Sequence, residues 1–168
     1  LNQRAFATQL VQCVLETNYR SNEDIVAFAR GIGYPPTLTA GFPDTALRLC
    51  NALPGQAAYP ANLPWCAAFN ELLSPAHKVV TLLHEDEVSS QGNLFEARIV
   101  AGMVWMLRQS ISVELDGRGA VTHVPPTPQR FWDLCIGVVT PHRAQRALVV
   151  RELEKLFPQE QDFIAAAV

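Results

Sequence analysis

Residues 134–145 read Leu-Cys-Ile-Gly-Val-Val-Thr-Pro-His-Arg-Ala-Gln, and this stretch decides the predicted fold class. The apolar run Leu134–Val139 has the length and composition of a buried strand. Thr140 and Pro141 then favour a helix start, because threonine caps helix N-termini and proline is tolerated at the first helical position. The sequence therefore predicts a strand that leads directly into a helix over residues 142–157.

Similar strand and helix patterns alternate elsewhere in the chain. A second apolar run, Lys78–His84, predicts another buried strand. Asn93–Glu96 has the pattern of a capping box and predicts a helix that reaches about Gln109. Nearer the start, Val14–Arg20 predicts a short strand or extended segment, and Ser21–Asn22 predicts the cap of a helix that Gly31 and Gly33 end. This alternation indicates an α/β fold with a mainly parallel sheet.

Two long connections rich in proline and glycine interrupt the pattern, Thr37–Pro64 and Asp116–Pro128. Weaker patterns predict four further elements: a helix over 3–13, a short strand within 46–50, a short helix over 65–73, and the beginning of a strand at 163–168. The hypothesis is one domain over residues 1–168 that forms only part of a larger fold.

Composition limits the possible classes of protein. The chain has 168 residues, of which 49% are apolar and 17% charged, which is typical of one globular domain. It has no apolar run long enough to span a membrane. The net charge of −3 argues against a protein that coats nucleic acid, although Arg143, Arg146 and Arg151 concentrate positive charge in one segment.

The potential metal ligands are scattered along the sequence. No two of the four cysteines form a CxxC pair, so we expect small core residues in a reducing cytoplasm and no metal site; they are Cys13, Cys50, Cys66 and Cys135. His84–Glu87 combines a histidine with three carboxylates. Consecutive carboxylates after a strand are more typical of a solvated loop than of a catalytic cluster.

Three segments in order resemble one family. Leu15–Asn22 is similar to the L-x-x-N/Q-Y-R-S/M motif, Ser89–Ala97 to S-x-x-N-x-x-E-A, and Ile136–Gln145 to I-G-I-I-T-P-Y-x-x-Q. All three motifs belong to superfamily 1 DNA/RNA helicases, in the branch related to the Dna-two and Upf-one helicases. The resemblance implies the second RecA-like domain of such a helicase, a three-layer α/β sandwich of the P-loop NTPase type, here incomplete.

The resemblance also implies roles for individual residues. ATP would lie in a cleft between two RecA-like domains, where Tyr19 would stack on adenine and Arg20 would contact the γ-phosphate. An arginine at that position is catalytic because it stabilises charge that develops on the transferred phosphoryl group. The second strand-to-helix segment would contact the backbone of single-stranded DNA or RNA through Thr140, His142, Arg143 and Gln145.

Structural roles are the alternative for several of these residues. Tyr19 would then pack at the edge of the core and Arg20 would form a surface ion pair. Thr140 would cap the helix and Gln145 would tie down the preceding loop. A capping box by itself accounts for Asn93 and Glu96.

The sequence contains no G-x-x-x-x-G-K-S/T phosphate loop. In the family that it resembles, this loop and the Mg²⁺ ligands belong to a first RecA-like domain, which we expect before Leu1, and further motifs we expect after Val168. ATP and Mg²⁺ would therefore bind in the full-length protein, and the chain alone would bind neither tightly nor hydrolyse ATP. The alternative function is a non-catalytic interaction or nucleic-acid-binding module on a RecA-like scaffold.

Overall fold

The computed structural model describes residues 16–44, 49, 51–85, 91–117 and 120–168, with the backbone alone for 113–117 and 120–123. The helix predicted over 3–13 lies outside these residues, as does most of the strand predicted within 46–50. The chain divides into two compact units, one on each side of the boundary between Ala46 and Leu47.

The first unit contains a strand–helix–strand element. Its bounds are β1 Thr17–Asn18, α1 Glu23–Gly31 and β2 Thr39–Ala40. The two strands pair in parallel, with Thr17 beside Thr39 and Asn18 beside Ala40. The predicted short strand and the helix after it are thus confirmed.

The cap of α1 also follows the prediction. The Asn22 side chain accepts a hydrogen bond from the Ile25 N–H at 3.1 Å, which satisfies one of the free donors in the first turn. Arg30, in the last turn, pairs with Glu23 at 2.5 Å and donates to the Leu38 carbonyl at 2.7 Å. These contacts tie α1 to the chain that leads into β2.

The second unit is mostly helical. Its elements are a 3-10 turn Gln56–Ala58, α2 Phe69–Leu72, α3 Leu94–Ser110, β3 Val113–Gly117, β4 Ala120–Val124, α4 Pro128–Arg130, a π-helical turn Phe131–Cys135, α5 Arg143–Leu156 and α6 Gln161–Ala167. Strands β3 and β4 form an antiparallel hairpin in which Val113 pairs with Val124.

The core of this unit lies between α3 and α5. Val104 on α3 and Val149 and Leu153 on α5 are buried together with Trp132 of the π-helical turn. The indole N–H of Trp132 donates to Glu160 at 2.6 Å, so the ring is buried with its polar group satisfied. Val149 and Leu153 therefore lie on the buried face of α5.

A second cluster packs on another side of α3, around Tyr59. The Tyr59 ring lies 5.0 Å from Trp65, 5.9 Å from Phe69 and 5.8 Å from Trp105 between ring centroids. The Tyr59 hydroxyl donates to the Pro64 carbonyl at 3.2 Å and lies against Gly102 in the middle of α3. The missing side chain of that glycine makes room for the ring.

Three predicted strands are wrong. Lys78–His84 and Leu134–Val139 form no strand in the described part of the chain, and 163–168 lies mostly in helix α6. A short apolar run does not identify a buried strand, because both strand pairing and burial depend on residues elsewhere in the fold; most apolar side chains of the first two runs are exposed here. Val138 illustrates this, since its N–H donates to the carbonyl of Ala167 in α6 at 2.8 Å.

Other boundaries also differ from the predictions. The connection Asp116–Pro128 contains strand β4, and the helix predicted over 65–73 is confined to Phe69–Leu72. The helix predicted from Asn93 is confirmed as α3. The described strands give one short parallel pair and one antiparallel hairpin, so the fold is a mixture of helices and small sheets.

Candidate functional site

Tyr19 and Arg20 lie immediately after β1 in a turn that Asn18 organises. The Asn18 side-chain oxygen accepts from the N–H groups of Arg20 at 2.8 Å and Ser21 at 3.1 Å. This Asx turn directs the chain from β1 towards the cap of α1. The local sequence therefore holds Tyr19 and Arg20 at the carboxyl end of a strand.

The Tyr19 ring lies over the backbone of Gly41, directly after β2. A Cβ atom at position 41 would stand 2.4 Å from Cδ1 of Tyr19, so only glycine allows this approach. The ring also meets Phe42 edge to face, with centroids 6.0 Å apart. Tyr19 is 68% exposed and Phe42 61% exposed. The two rings form an open aromatic corner, defined here as Tyr19, Gly41 and Phe42.

Arg20 is exposed beside this corner. Its backbone is fixed by Asn18, but its side chain forms no ion pair with any residue that the structure describes. Within the described part of the chain, no side chain competes with a ligand for the guanidinium group. Gly41 and Phe42 were missed by the sequence reasoning because their role depends on the pairing of β2 with β1.

The second group of predicted residues surrounds the start of α5. The helix begins at Arg143, and its N-cap residue is His142, whose side chain makes no capping hydrogen bond. The predicted cap at Thr140 is therefore wrong by two residues. His142 and Arg143 are exposed, whereas Thr140 is half-buried. The first N–H groups of α5 thus lie beside an exposed imidazole and an exposed guanidinium group.

Gln145 is buried and joins two of the sequence motifs. Its Oε1 accepts from the Asn93 N–H at 2.6 Å, and its Nε2 donates to the Asn93 carbonyl at 3.2 Å and to Glu96 Oε2 at 3.3 Å. The loop-tying role that was the alternative for Gln145 matches these contacts. We call Asn93, Glu96 and Gln145 the amide junction.

The hydrogen bonds of the amide junction differ from those of the predicted capping box. Asn93 does cap α3, since its side chain accepts from the Glu96 N–H at 3.0 Å. However, the Asn93 N–H, which the Glu96 carboxylate would satisfy in a capping box, donates to Gln145. The Glu96 carboxylate instead contacts Gln145 and, at 2.8 Å, Nε2 of His84.

Two cavities flank the amide junction. One has a volume of about 270 Å³ and a mixed polar and apolar lining, which Gln91, Gly92, Pro141 and His142 complete. The other has a volume of about 260 Å³ and is largely apolar; its lining includes Phe95 and Thr140. The predicted residues His142 and Thr140 therefore face different cavities.

The structure brings the predicted residues together in two separate groups, one in each unit. Tyr19 and Arg20 form one group, and Thr140, His142, Arg143 and Gln145 form the other. Among the described residues, no three histidine, cysteine, aspartate or glutamate side chains are grouped as metal ligands would be. None of the described helices has the length and apolar character needed to cross a membrane.

The chain matches no protein family model, no curated protein and no solved structure.

Proposed function

We propose that this chain is part of the second RecA-like domain of a cytoplasmic, ATP-dependent superfamily 1 helicase or translocase. In this proposal, β1 and β2 belong to a three-layer RecA-like sandwich, and the chain provides one wall of the ATP cleft and part of the nucleic-acid track. The observation that carries the proposal is the exposed pair Tyr19 and Arg20 at the carboxyl end of β1.

The position of this pair is suited to nucleotide binding. In open α/β sheets, ligands bind beyond the carboxyl ends of parallel strands. β1 and β2 are parallel, and their carboxyl ends carry Tyr19 and Arg20 on one strand and Gly41 and Phe42 on the other. An exposed ring can stack on a base, and an exposed guanidinium group can contact a phosphate.

ATP would supply the transferable phosphoryl group, and a first RecA-like domain across the cleft would supply the phosphate loop and the Mg²⁺ ligands. Within this chain, Tyr19 would orient the base. Arg20 would stabilise negative charge on the γ-phosphate oxygens. The Asn18 turn would position Arg20, because it fixes the backbone from which the guanidinium group extends.

The start of α5 is suited to a phosphate of single-stranded nucleic acid. Free N–H groups at a helix N-terminus attract anions, and His142 and Arg143 add exposed donors beside them. Thr140 also lies next to this turn. Gln145 is already bonded to Asn93 and Glu96, so we assign it to holding the turn in place.

The decisive experiment measures nucleic-acid-dependent ATP turnover in the full-length protein that carries this chain. Arg20→Ala is expected to reduce the turnover roughly 10³-fold or more, as loss of an arginine finger does. The control Arg130→Ala removes an equally exposed arginine on α4 and is expected to keep the wild-type rate.

Two results would overturn the proposal. One is wild-type turnover in Arg20→Ala, and the other is steady ATP turnover by the purified 168-residue chain alone. Absence of any turnover in the full-length protein, with nucleic-acid binding retained, would favour the non-catalytic binding module instead.

A further inference from the structure

A buried carboxylate on α5 is surrounded by three cations. Glu152 is 2% exposed, and Lys155 donates to its Oε1 at 2.6 Å. Arg98 on α3 approaches Oε2 through Nε at 3.6 Å, and Arg151 approaches Oε1 through Nε at 3.6 Å. We call Arg98, Arg151, Lys155 and Glu152 the basic cluster.

The basic cluster carries more positive charge than Glu152 balances. One carboxylate balances one of the three cations, which leaves a local surplus of two positive charges. The cations remain accessible, with side-chain exposures of 42% for Arg98, 56% for Arg151 and 49% for Lys155. Glu154, the next carboxylate on α5, forms no ion pair with a described residue.

The two arginines are also incompletely hydrogen-bonded. A separation of 3.6 Å is too long for a hydrogen bond, and Nε of Arg98 is buried without a hydrogen-bond partner among the described residues. The Nη groups of Arg98 and Arg151 likewise donate to no residue that the structure describes. Glu152 therefore orients two guanidinium groups whose amino groups remain available to a ligand.

Arg146, also on α5, already has hydrogen-bond partners for its guanidinium group. Arg146 donates to the carbonyls of Ala165 at 2.6 Å and Val168 at 2.7 Å, so its guanidinium group is used in holding α6.

Arg143 and Arg151 are eight residues apart, which is about 12 Å along the helix axis. At about 3.4 Å per nucleotide along one strand, this distance corresponds to roughly three or four nucleotides.

We propose that the basic cluster is a phosphate-binding site, which takes phosphate groups of a nucleic-acid strand that also contacts Arg143. The surplus of two positive charges fits one phosphomonoester or two phosphodiester groups. Guanidinium groups suit this ligand because their planar donors match phosphate oxygens. The nucleic-acid source of the phosphate depends on the proposed function, whereas the site itself depends only on the cluster.

The test uses the purified chain and a labelled oligothymidylate, with binding measured by fluorescence anisotropy over a salt series. Arg151→Gln is expected to weaken binding roughly three- to tenfold and to lower the slope of log K against log salt by about 0.7, the value for one lost single-strand phosphate contact. Arg151→Lys is expected to retain the salt slope because it keeps the charge, and to lose part of the affinity because it lacks the planar donors. Arg130→Gln, which makes the same charge change on α4, is the matched control.

Thermal unfolding of each variant establishes that the fold is intact. Glu152 keeps Lys155 and Arg98 in Arg151→Gln, so that variant should unfold near the wild-type temperature. Equal affinities and equal salt slopes for Arg151→Gln and Arg130→Gln would overturn the site.

Two further measurements separate this site from the proposed function. If Arg143→Gln weakens oligonucleotide binding and Arg151→Gln does not, the nucleic-acid track stands and the basic cluster fails. Titration with inorganic pyrophosphate tests the other source of phosphate. Binding of pyrophosphate that depends on Arg151, without oligonucleotide binding, would support the site and refute the nucleic-acid role; binding of neither would refute the site.

Discussion

The side-chain amide of Gln145 hydrogen-bonds both backbone polar groups of Asn93, the N–H at 2.6 Å and the carbonyl at 3.2 Å. These two residues are 52 positions apart, and each lies at the start of one of the two long helices in the second unit. The contact fixes the N-terminus of α3 to that of α5. It therefore determines where the exposed His142 and Arg143 lie.

Gln145→Ala should destabilise the second unit. The buried Asn93 N–H would lose its hydrogen bond to Gln145, whereas the Asn93 carbonyl keeps the hydrogen bond from the Ala97 N–H at 3.1 Å. Loss of a hydrogen bond from a buried backbone group costs about 1–3 kcal/mol. Chemical denaturation of the chain measures the effect. The control Gln129→Ala changes an exposed glutamine on α4 and should leave the free energy of unfolding within about 0.5 kcal/mol of wild type. Equal stabilities of the two variants would contradict the assigned role.

Gly102→Ala should destabilise the second unit, unlike a typical substitution to alanine within a helix. A Cβ atom there would stand 1.7 Å from the Tyr59 hydroxyl oxygen and 2.8 Å from Cζ, so the ring must move. We expect a loss of about 1–3 kcal/mol, as for other overpacked cores. Adding Tyr59→Phe removes the closer contact and should recover part of the loss. Gly55→Ala, whose Cβ would meet no atom within 4 Å, is the control; a loss as large in Gly55→Ala would refute the steric explanation.

The elements that the sequence predicted best are those whose determinants are local. Asn22 and Asn93 lie at the starts of α1 and α3, and both caps are present because a short polar side chain bonds an N–H three residues later. The strands at Lys78–His84 and Leu134–Val139 were wrong because strand pairing depends on distant partners. An apolar run does not ensure burial either, since Leu83 is 86% exposed and Val139 is 96% exposed.

In the candidate site, too, local features were predicted and contacts between distant residues were not. Tyr19, Arg20, His142 and Arg143 were identified by sequence pattern, and all four are exposed. Gly41 and Phe42 were not identified, because only the pairing of β2 with β1 places them beside Tyr19. The capping-box pattern also could not show that Gln145 would replace Glu96 as partner of the Asn93 N–H, since that contact is made across the fold.

Stability in acid should depend on Glu152. Burial alone would raise the pKa of this carboxyl group, but the Lys155 hydrogen bond and the charges of Lys155, Arg98 and Arg151 lower it below its ordinary value. Between the lowered pKa of the folded state and the ordinary pKa of glutamate, the unfolded chain therefore binds more protons than the folded chain. The stabilisation is complete above the ordinary pKa of glutamate. It is lost as the pH falls through the lower pKa of the folded state. Glu152→Gln should remove about 1–2 kcal/mol at neutral pH and flatten this part of the acid dependence.

Denaturation at a series of pH values measures that difference. Glu154→Gln, on the same helix, removes an identical charge from a residue without a described ion pair, and it should follow the wild-type curve. Parallel curves for Glu152→Gln and wild type would show that the basic cluster does not control the acid response.

Gly41→Ala should displace the Tyr19 ring of the aromatic corner and leave the rest of the first unit unchanged. The added Cβ atom would stand 2.4 Å from Cδ1 and 2.7 Å from Cε1 of Tyr19, which forces the exposed ring away from the backbone. If Tyr19 orients the base of ATP, the full-length variant should show a raised KM for ATP, about tenfold for a loss of roughly 1.4 kcal/mol of binding, with a smaller change in kcat. Gly31→Ala is the control in the same unit, because its Cβ would meet no atom within 4 Å. An unchanged KM in Gly41→Ala, with the ring displacement verified by NMR of the tyrosine side chains, would exclude Tyr19 from base recognition.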